Sequence, residues 1–412
     1  MLEEFHAERQ RGGLFGPHLD SFIATAAELG YARSTVREWL RLLGHLERWL
    51  ERKNLALIDL DEQVANHFLE RRRRQGRLRN GHARTISNFL EHLRTKGAIQ
   101  SLAPTVDMSP LAALKKRYEN YLSKERGLCP VTAVGYWRFI RRFLVERFGD
   151  KPHAPIGVRE LVPNDISGFL LRHARASSPG IAKLMVTALR SFCRFLFQHG
   201  ETENDLAGAV PMVPAWRLAE VPKYLTPEEV ERVVHACDRN SAVARRDRAI
   251  ILLLARLGLR ASEVIGLELD DIDWRAGVLT VRGKGGYHDR LPLPADVGEA
   301  VAGYLRQHRP RCMTRRVFIR IKAPHRGFAH PSSISTIVCR ALNRAGLQPN
   351  LKGAHILRHS LATGMLRSGA SMNEIGEILR HRTPNTTEIY AKVDINSLRA
   401  LALPWPAKGG AR

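Results

Sequence analysis

The segment HILRHS, residues 355–360, sets two histidines and an arginine within six residues. Read as a helix, it projects His355 and Arg358 together, beside a face of Leu357, Leu361, Gly364 and Met365 that can pack. An imidazole can move a proton near neutral pH, and a guanidinium can grip an oxyanion through two parallel hydrogen bonds. A zinc site would need further ligands and the H-E-x-x-H pattern is absent, so no metal is expected. Taken alone, H-x-x-R also describes a solvated helix face. Other segments add to it. GLRASEV places Arg260 between the end of an apolar helix and a new helix that contains Glu263. RGKGGYHDRLPL places Lys284 at a glycine-rich turn between two strands, and ILRHRTPNTTEIYAKV places His381 nine residues before Tyr390.

Arg, Lys, His-x-x-Arg, His and Tyr, in that order, resemble the tyrosine recombinase, or phage integrase, family. The resemblance covers about residues 224–403 closely, through GLRASEV, GKGGYHDRLPL, HILRHSLATGML and ILRHRTPNTTEIYAKV, and the preceding helical region more loosely. It implies cleavage of a DNA strand by Tyr390 to give a 3′-phosphotyrosyl link, which keeps the bond energy for rejoining. Attack builds negative charge on a phosphate that is already anionic, so Arg260 and Arg358 suit its two non-bridging oxygens. Lys284 is the matching general acid for the leaving 5′-oxygen, and its glycine neighbours allow close approach to DNA. His355 is the nearest candidate acceptor for the phenolic proton, and His381 would bond the phosphate or position the nucleophile. His359 is expected to be structural and turned away from the scissile bond. No metal and no nucleotide cofactor is required. One departure stands out: Arg380 precedes His381 where the family commonly has glycine, and either adds a phosphate contact or alters a turn.

The elements that must position these groups read as mainly α: helical N-terminal DNA-binding domains, then an α+β catalytic domain with a small antiparallel sheet. The expected boundaries are 1–102, 107–213 and 224–403, with a tail at 404–412, and proline-bearing linkers lie between them. The two helical domains resemble one another. Setting Gly30 against Gly127 pairs Thr35 with Thr132, Trp39 with Tyr136, Leu43 with Ile140 and Leu46 with Phe143. Setting Gly97 against Gly200 pairs Ile86 with Leu189, Phe89 with Phe192 and Leu93 with Leu196. One domain carried twice is the expectation, so residues 18–98 should match 112–201 helix for helix. Thr226, Pro227, Glu228 and Glu229 predict a capped helix start. VLTVR and HDRLPL predict the strands.

Composition narrows the class of partner. Lys plus Arg total 65 against 41 acids, a formal charge of +24, and such self-repulsion is relieved by a polyanion. Double-stranded DNA is the expected partner. The run ERRRRQGRLRNGHAR at 70–84 is the densest basic stretch. Arg71, Arg72, Arg73, Arg74, Lys183, Arg190, Arg282 and Arg380 are candidate DNA contacts. Five scattered cysteines without a C-x-x-C pair suggest neither disulfides nor zinc, and no signal peptide or membrane span is read. A bacterial cytoplasmic, nucleoid-associated protein is expected. By the resemblance, it works as a dimer on each site and a tetramer in synapsis, the short apolar helix at 398–403 either docking into a neighbour or folding back on its own domain, with accessory recombinases or DNA-bending proteins as further partners. Integration or transposition of a mobile element is the leading reading. A Xer-type chromosome-dimer resolvase, a type IB topoisomerase-like enzyme and a non-catalytic DNA-binding regulator are the alternatives.

Overall fold

The computed structural model describes residues 13–101, 107–150, 155–212, 222–283, 287–349 and 353–393. The chain divides into two compact units, residues 1–101 with 220–412, and residues 102–219. In the first unit, α1 (Gly16–Glu28) and α2 (Arg33–Arg52) are followed by a 3-10 turn, Leu57–Asp59, then α3 (Glu62–Arg74) and α4 (His82–Thr95). Their apolar faces meet in one cluster that includes Phe22, Leu43, Leu46, Phe68, Ile86 and Phe89.

The second unit repeats that order. Helix α5 (Pro110–Asn120), continued by a π turn over Tyr121–Glu125, and α6 (Pro130–Phe148) are followed by a 3-10 turn, Val158–Glu160. Then come α7 (Pro163–Ala174) and α8 (Pro179–Gln198). The residues paired in the sequence occupy matching places. Leu43 and Ile140 are each 0% exposed, as are Phe89 with Phe192 and Leu93 with Leu196. Gly30 and Gly127 both have positive φ, 78° and 59°, and so do Gly97 and Gly200, at 70° and 67°. A left-handed residue is where glycine closes a helix without steric penalty, so each pair ends its helix in the same way.

The remainder of the first unit carries the candidate chemistry. Helix α9 (Pro227–His235) starts at a reciprocal cap: Thr226 Oγ1 accepts from the Glu229 N–H at 3.3 Å, and Glu229 Oε2 accepts from the Thr226 N–H at 2.9 Å. Helix α10 (Ala242–Arg256) is buried along Ala249–Ala255. That stretch is apolar on every side, as a helix covered by neighbours can be, and those neighbours include α12 (Ala295–Gly303) and α14 (His355–Arg367). Short helix α11 (Ala261–Gly266) leads into the sheet. β1 (Ile272–Asp273), β2 (Val278–Arg282) and β3 (His288–Pro292) form an antiparallel sheet in that order, with Val278 opposite Pro292 and Arg282 opposite His288. Helices α13 (Ser332–Arg344) and α15 (Met372–Ile378) complete the set, and a 3-10 turn, Glu388–Val393, carries Tyr390. Mainly helical architecture with one small sheet is as the sequence predicts. No helix among the described residues is long and apolar enough to cross a membrane.

Candidate active site

Arg260 stands at the N-terminal boundary of α11, where its backbone N–H donates to Glu263 Oε2 at 2.8 Å and its Nη1 to Glu263 Oε1 at 2.7 Å. Glu263 is buried and accepts a second guanidinium, Arg380 Nη2, at 2.9 Å. Burial alone would raise this carboxyl. The Arg260 backbone N–H and the two guanidiniums prevail and hold it below the usual carboxylate range. One buried carboxylate thus fixes two arginines.

Arg358, on α14, is buried as well, and its two terminal nitrogens donate to the carbonyls of Gly258 and Leu379. Burial, then the charges of Arg260 and Arg380, push its pKa down to about 10, which leaves it charged at neutral pH. Gly258 is needed for this contact: its φ is +58°, and a Cβ there would lie 2.8 Å from the Leu379 side chain.

Tyr390 sits on Ala362, Ile375 and Leu379 and is 1% exposed. Burial pushes its phenol up to about 12, partly countered by Arg358. Its Oη is 2.9 Å from Nδ1 of His359. The His381 ring lies parallel to the tyrosine ring at 6.5 Å, and its Nδ1 is 2.9 Å from Thr387 Oγ1. Burial and neighbouring cations push both histidines down to about 4: His355 and Arg358 act on His359, and Arg358 and Arg260 on His381. His355, exposed at the start of α14, is lowered by desolvation and by the same two arginines. Arg260, His355, Arg358, His381 and Tyr390 are therefore gathered in one place.

Three expectations are corrected by this geometry. His359 is not turned away but bonded to Tyr390, because the 3-10 turn of Tyr390 packs across the side of α14 that carries it. The acceptor nearest the phenol is accordingly His359 and not His355. Arg380 does not point outward to phosphate: its side chain is 6% exposed and faces Glu263, with Asp289 Oδ2 3.9 Å from Nε. Glu263, which the sequence offers as a helix-end ion-pair partner of Arg260, makes that pair and holds Arg380 as well. Its signal was the spacing that lets an acid in a first helical turn reach back to the boundary residue.

Lys284 lies outside the described residues. The β2–β3 hairpin is closed by the Gly283 N–H donating to the Tyr287 carbonyl at 2.7 Å. The hairpin is tied to the site by the Arg380–Asp289 pair and by Arg382, which lies over the Tyr287 ring. Of the candidate DNA contacts, Arg71, Arg73, Arg74 and Lys183 are exposed. Arg72 is half-buried over the Phe68 ring, and Arg190 donates to the Val210 carbonyl at 2.8 Å. Arg282 pairs with Asp271 at 2.8 Å and Glu268 at 3.3 Å.

Comparison with known proteins agrees with the class that these features define. The phage integrase family profile matches residues 223–396. An integrase/recombinase of Sinorhizobium fredii (strain NBRC 101917 / NGR234), y4rA, is 41% identical over 98% of this chain and 98% of its own. Tyrosine recombinase XerD of Mycobacterium tuberculosis is 33% identical over 71% of this chain and 96% of its own. In fold, the chain is similar to XerH site-specific recombinase bound to its difH substrate, with a TM-score of 0.55 at 20% identity over 71% of this chain and 85% of that one. The chain belongs to the phage integrase family. Within it, this protein is a tyrosine recombinase, an enzyme of site-specific DNA recombination.

Proposed function

We propose that this recombinase serves a mobile element as its integrase or transposase, with Tyr390 as the nucleophile that becomes joined to the 3′-phosphate of double-stranded DNA. Arg260 and Arg358 bind the non-bridging oxygens, His355 and His381 flank the phosphate, and Lys284 protonates the leaving 5′-oxygen. The observation that carries these roles is the convergence of Arg260, Arg358 and His381 on a tyrosine whose hydroxyl already has a hydrogen-bonded base. A phosphoryl transfer needs positioned donors and an in-line nucleophile more than it needs other covalent chemistry. The mobile-element reading is supported by the match to y4rA over nearly the whole of both chains, whereas XerD is matched over 71% of this one. Domains at 1–102, 107–213 and 224–403 are part of the same reading, the first lengthening the DNA footprint of the second. So are a dimer on each site and a tetramer in synapsis.

The test is covalent trapping. Duplexes nicked near the cleavage point release a short strand on cleavage and leave protein joined to DNA, and the joined DNA is sequenced. Adducts on element ends, lost in Tyr390→Phe, are the expected result. An adduct that persists in Tyr390→Phe rejects the nucleophile. The likeness to XerD favours one second reading, a Xer-type resolvase, and adducts confined to a single chromosomal site would select it.

A further inference from the structure

Two side-chain contacts join the segment that carries His381 to the start of β3. Arg380 Nε lies 3.9 Å from Asp289 Oδ2, and the Arg382 guanidinium sits 3.5 Å from the centre of the Tyr287 ring. Residues 380 and 382 flank His381, and residues 287 and 289 flank His288, so the contacts are successive rungs between the same two stretches. Each stretch is anchored on its own side. The N–H groups of Arg380 and His381 donate to the carbonyls of Glu377 and Gly376 in α15, at 2.9 and 2.8 Å. Asp289 stands opposite Val281 of β2, and its Oδ2 would lie 3.8 Å from a Cβ built on Gly283, the residue before Lys284. Inward, Arg380 is fixed by Glu263, the carboxylate that also holds Arg260. One guanidinium thus pairs with the acid behind Arg260 and with the strand that follows Lys284 in sequence. A glycine at 380 would make neither contact.

We propose that Arg380, with Arg382, is a positioning residue that clasps the β2–β3 hairpin to the phosphate-binding arginines and so sets the general acid against the leaving oxygen, a role that rests on Lys284 being that acid. Proton transfer demands such placement, because the donor must come within hydrogen-bond reach of the oxygen it protonates. A misplacement of about 1 Å can cost on the order of 10²-fold in rate. The hairpin has little support of its own: β1 pairs only with Val278 and Leu279, and among the described strands the Arg282 end of β2 is paired to β3 alone. The two arginines brace that end from outside the sheet. Arg380 Nε is buried and, among the described residues, has no hydrogen bond. An unbonded buried N–H is unfavourable, so β3 is drawn toward Arg380, and a shift of about 1 Å turns the ion pair into a hydrogen bond. Because Glu263 fixes the other end of the same guanidinium, the hairpin is registered directly against Arg260.

Asp289→Asn is the sharpest probe, since it removes the charge at the hairpin end of the clasp and leaves Glu263, Arg260 and Arg358 in place. Loss of an acid also favours DNA binding, so slower cleavage does not follow from weaker association. Adduct formation is timed on pre-bound nicked DNA with the unchanged protein, Asp289→Asn, Arg382→Ala, Arg380→Gly and the double variant Arg380→Gly/Asp289→Asn. Each is given oxygen or sulfur at the scissile 5′ position, and a thiolate leaves without needing a proton. Asp289→Asn and Arg382→Ala should slow the oxygen substrate by roughly tenfold and cleave the sulfur substrate as fast as the unchanged protein does. Asp289→Asn should add nothing to the loss already present in Arg380→Gly, because both cut one contact. Should Arg380→Gly fail to melt cooperatively, Arg380→Lys takes its place. Single variants within about threefold of the unchanged protein, equal slowing on both substrates, or additive loss in the double variant overturn the clasp. Lys284→Ala tests the reading beneath it. If sulfur does not relieve that variant, Lys284 is not the acid, an outcome separate from the behaviour of Asp289→Asn.

Discussion

Arg380 holds a backbone conformation that side chains rarely adopt, φ 56°, directly before His381. Such a residue costs about 1–2 kcal/mol relative to glycine, the residue the family commonly places there. The compensation is electrostatic: the guanidinium is buried against Glu263, which also fixes Arg260. The two histidines beside Tyr390, His359 and His381, give the protein a pH dependence. Their folded-state values, about 4, lie below the ordinary 6.5, so between those values the unfolded chain binds more protons than the folded one. Their contribution to stability is present above about pH 6.5 and is lost as the pH falls toward 4. Thermal melts across this window should show a declining midpoint for the unchanged protein and a shallower decline for His359→Asn. A flat profile would mean that neither histidine is held neutral. The ordered motif residues were legible in the sequence because each lies in a recognisable segment. The His359 bond was not, since its partner is 31 residues further on and arrives from a separate turn.

At the level of elements, the start of α9 was readable in full, because capping depends on neighbours in sequence. Thr226→Ala removes the hydroxyl that accepts from the Glu229 N–H and should destabilise the protein by about 1 kcal/mol. Chemical denaturation monitored on the unit containing residues 220–412 checks this, and an unshifted midpoint would show the cap to be dispensable. The strands were readable for a similar reason: VLTVR alternates and is set off by glycines. The turn that bears Tyr390 was not. Six residues of 3-10 helix have too short a period to leave a pattern, and Ile389, Tyr390 and Val393 gave no sign of which surface they would join. The lysine between β2 and β3 has a comparable status, its position in the sequence clear and its placement outside the described residues.

For the whole molecule, the repeated order of two helices, a 3-10 turn and two more helices, with glycines of like conformation, supports a duplicated helical domain. Its first copy adds basic surface to a chain of formal charge +24. Arg71, Arg73 and Arg74 are exposed near the end of α3, whereas Arg72 is partly covered. Replacing the three exposed arginines with alanine should weaken DNA binding with little regard to sequence. It should also lower the slope of log affinity against log salt by about 0.9 for each phosphate that is no longer neutralised. Binding titrations over a range of salt measure that slope, and an unchanged value would mark the run as a solvated face. This global charge was evident from composition, but its division among exposed, stacked and ion-paired arginines depends on tertiary neighbours.

The seat of Tyr390 bears on timing. A hydroxyl on a residue 1% exposed cannot meet a phosphodiester by collision, so stray encounters along DNA leave it unreacted. The short turn must first shift to present it, and such gating separates arrival from commitment. Raising the DNA concentration should then speed only the encounter, with the ceiling on cleavage set by how often that turn opens.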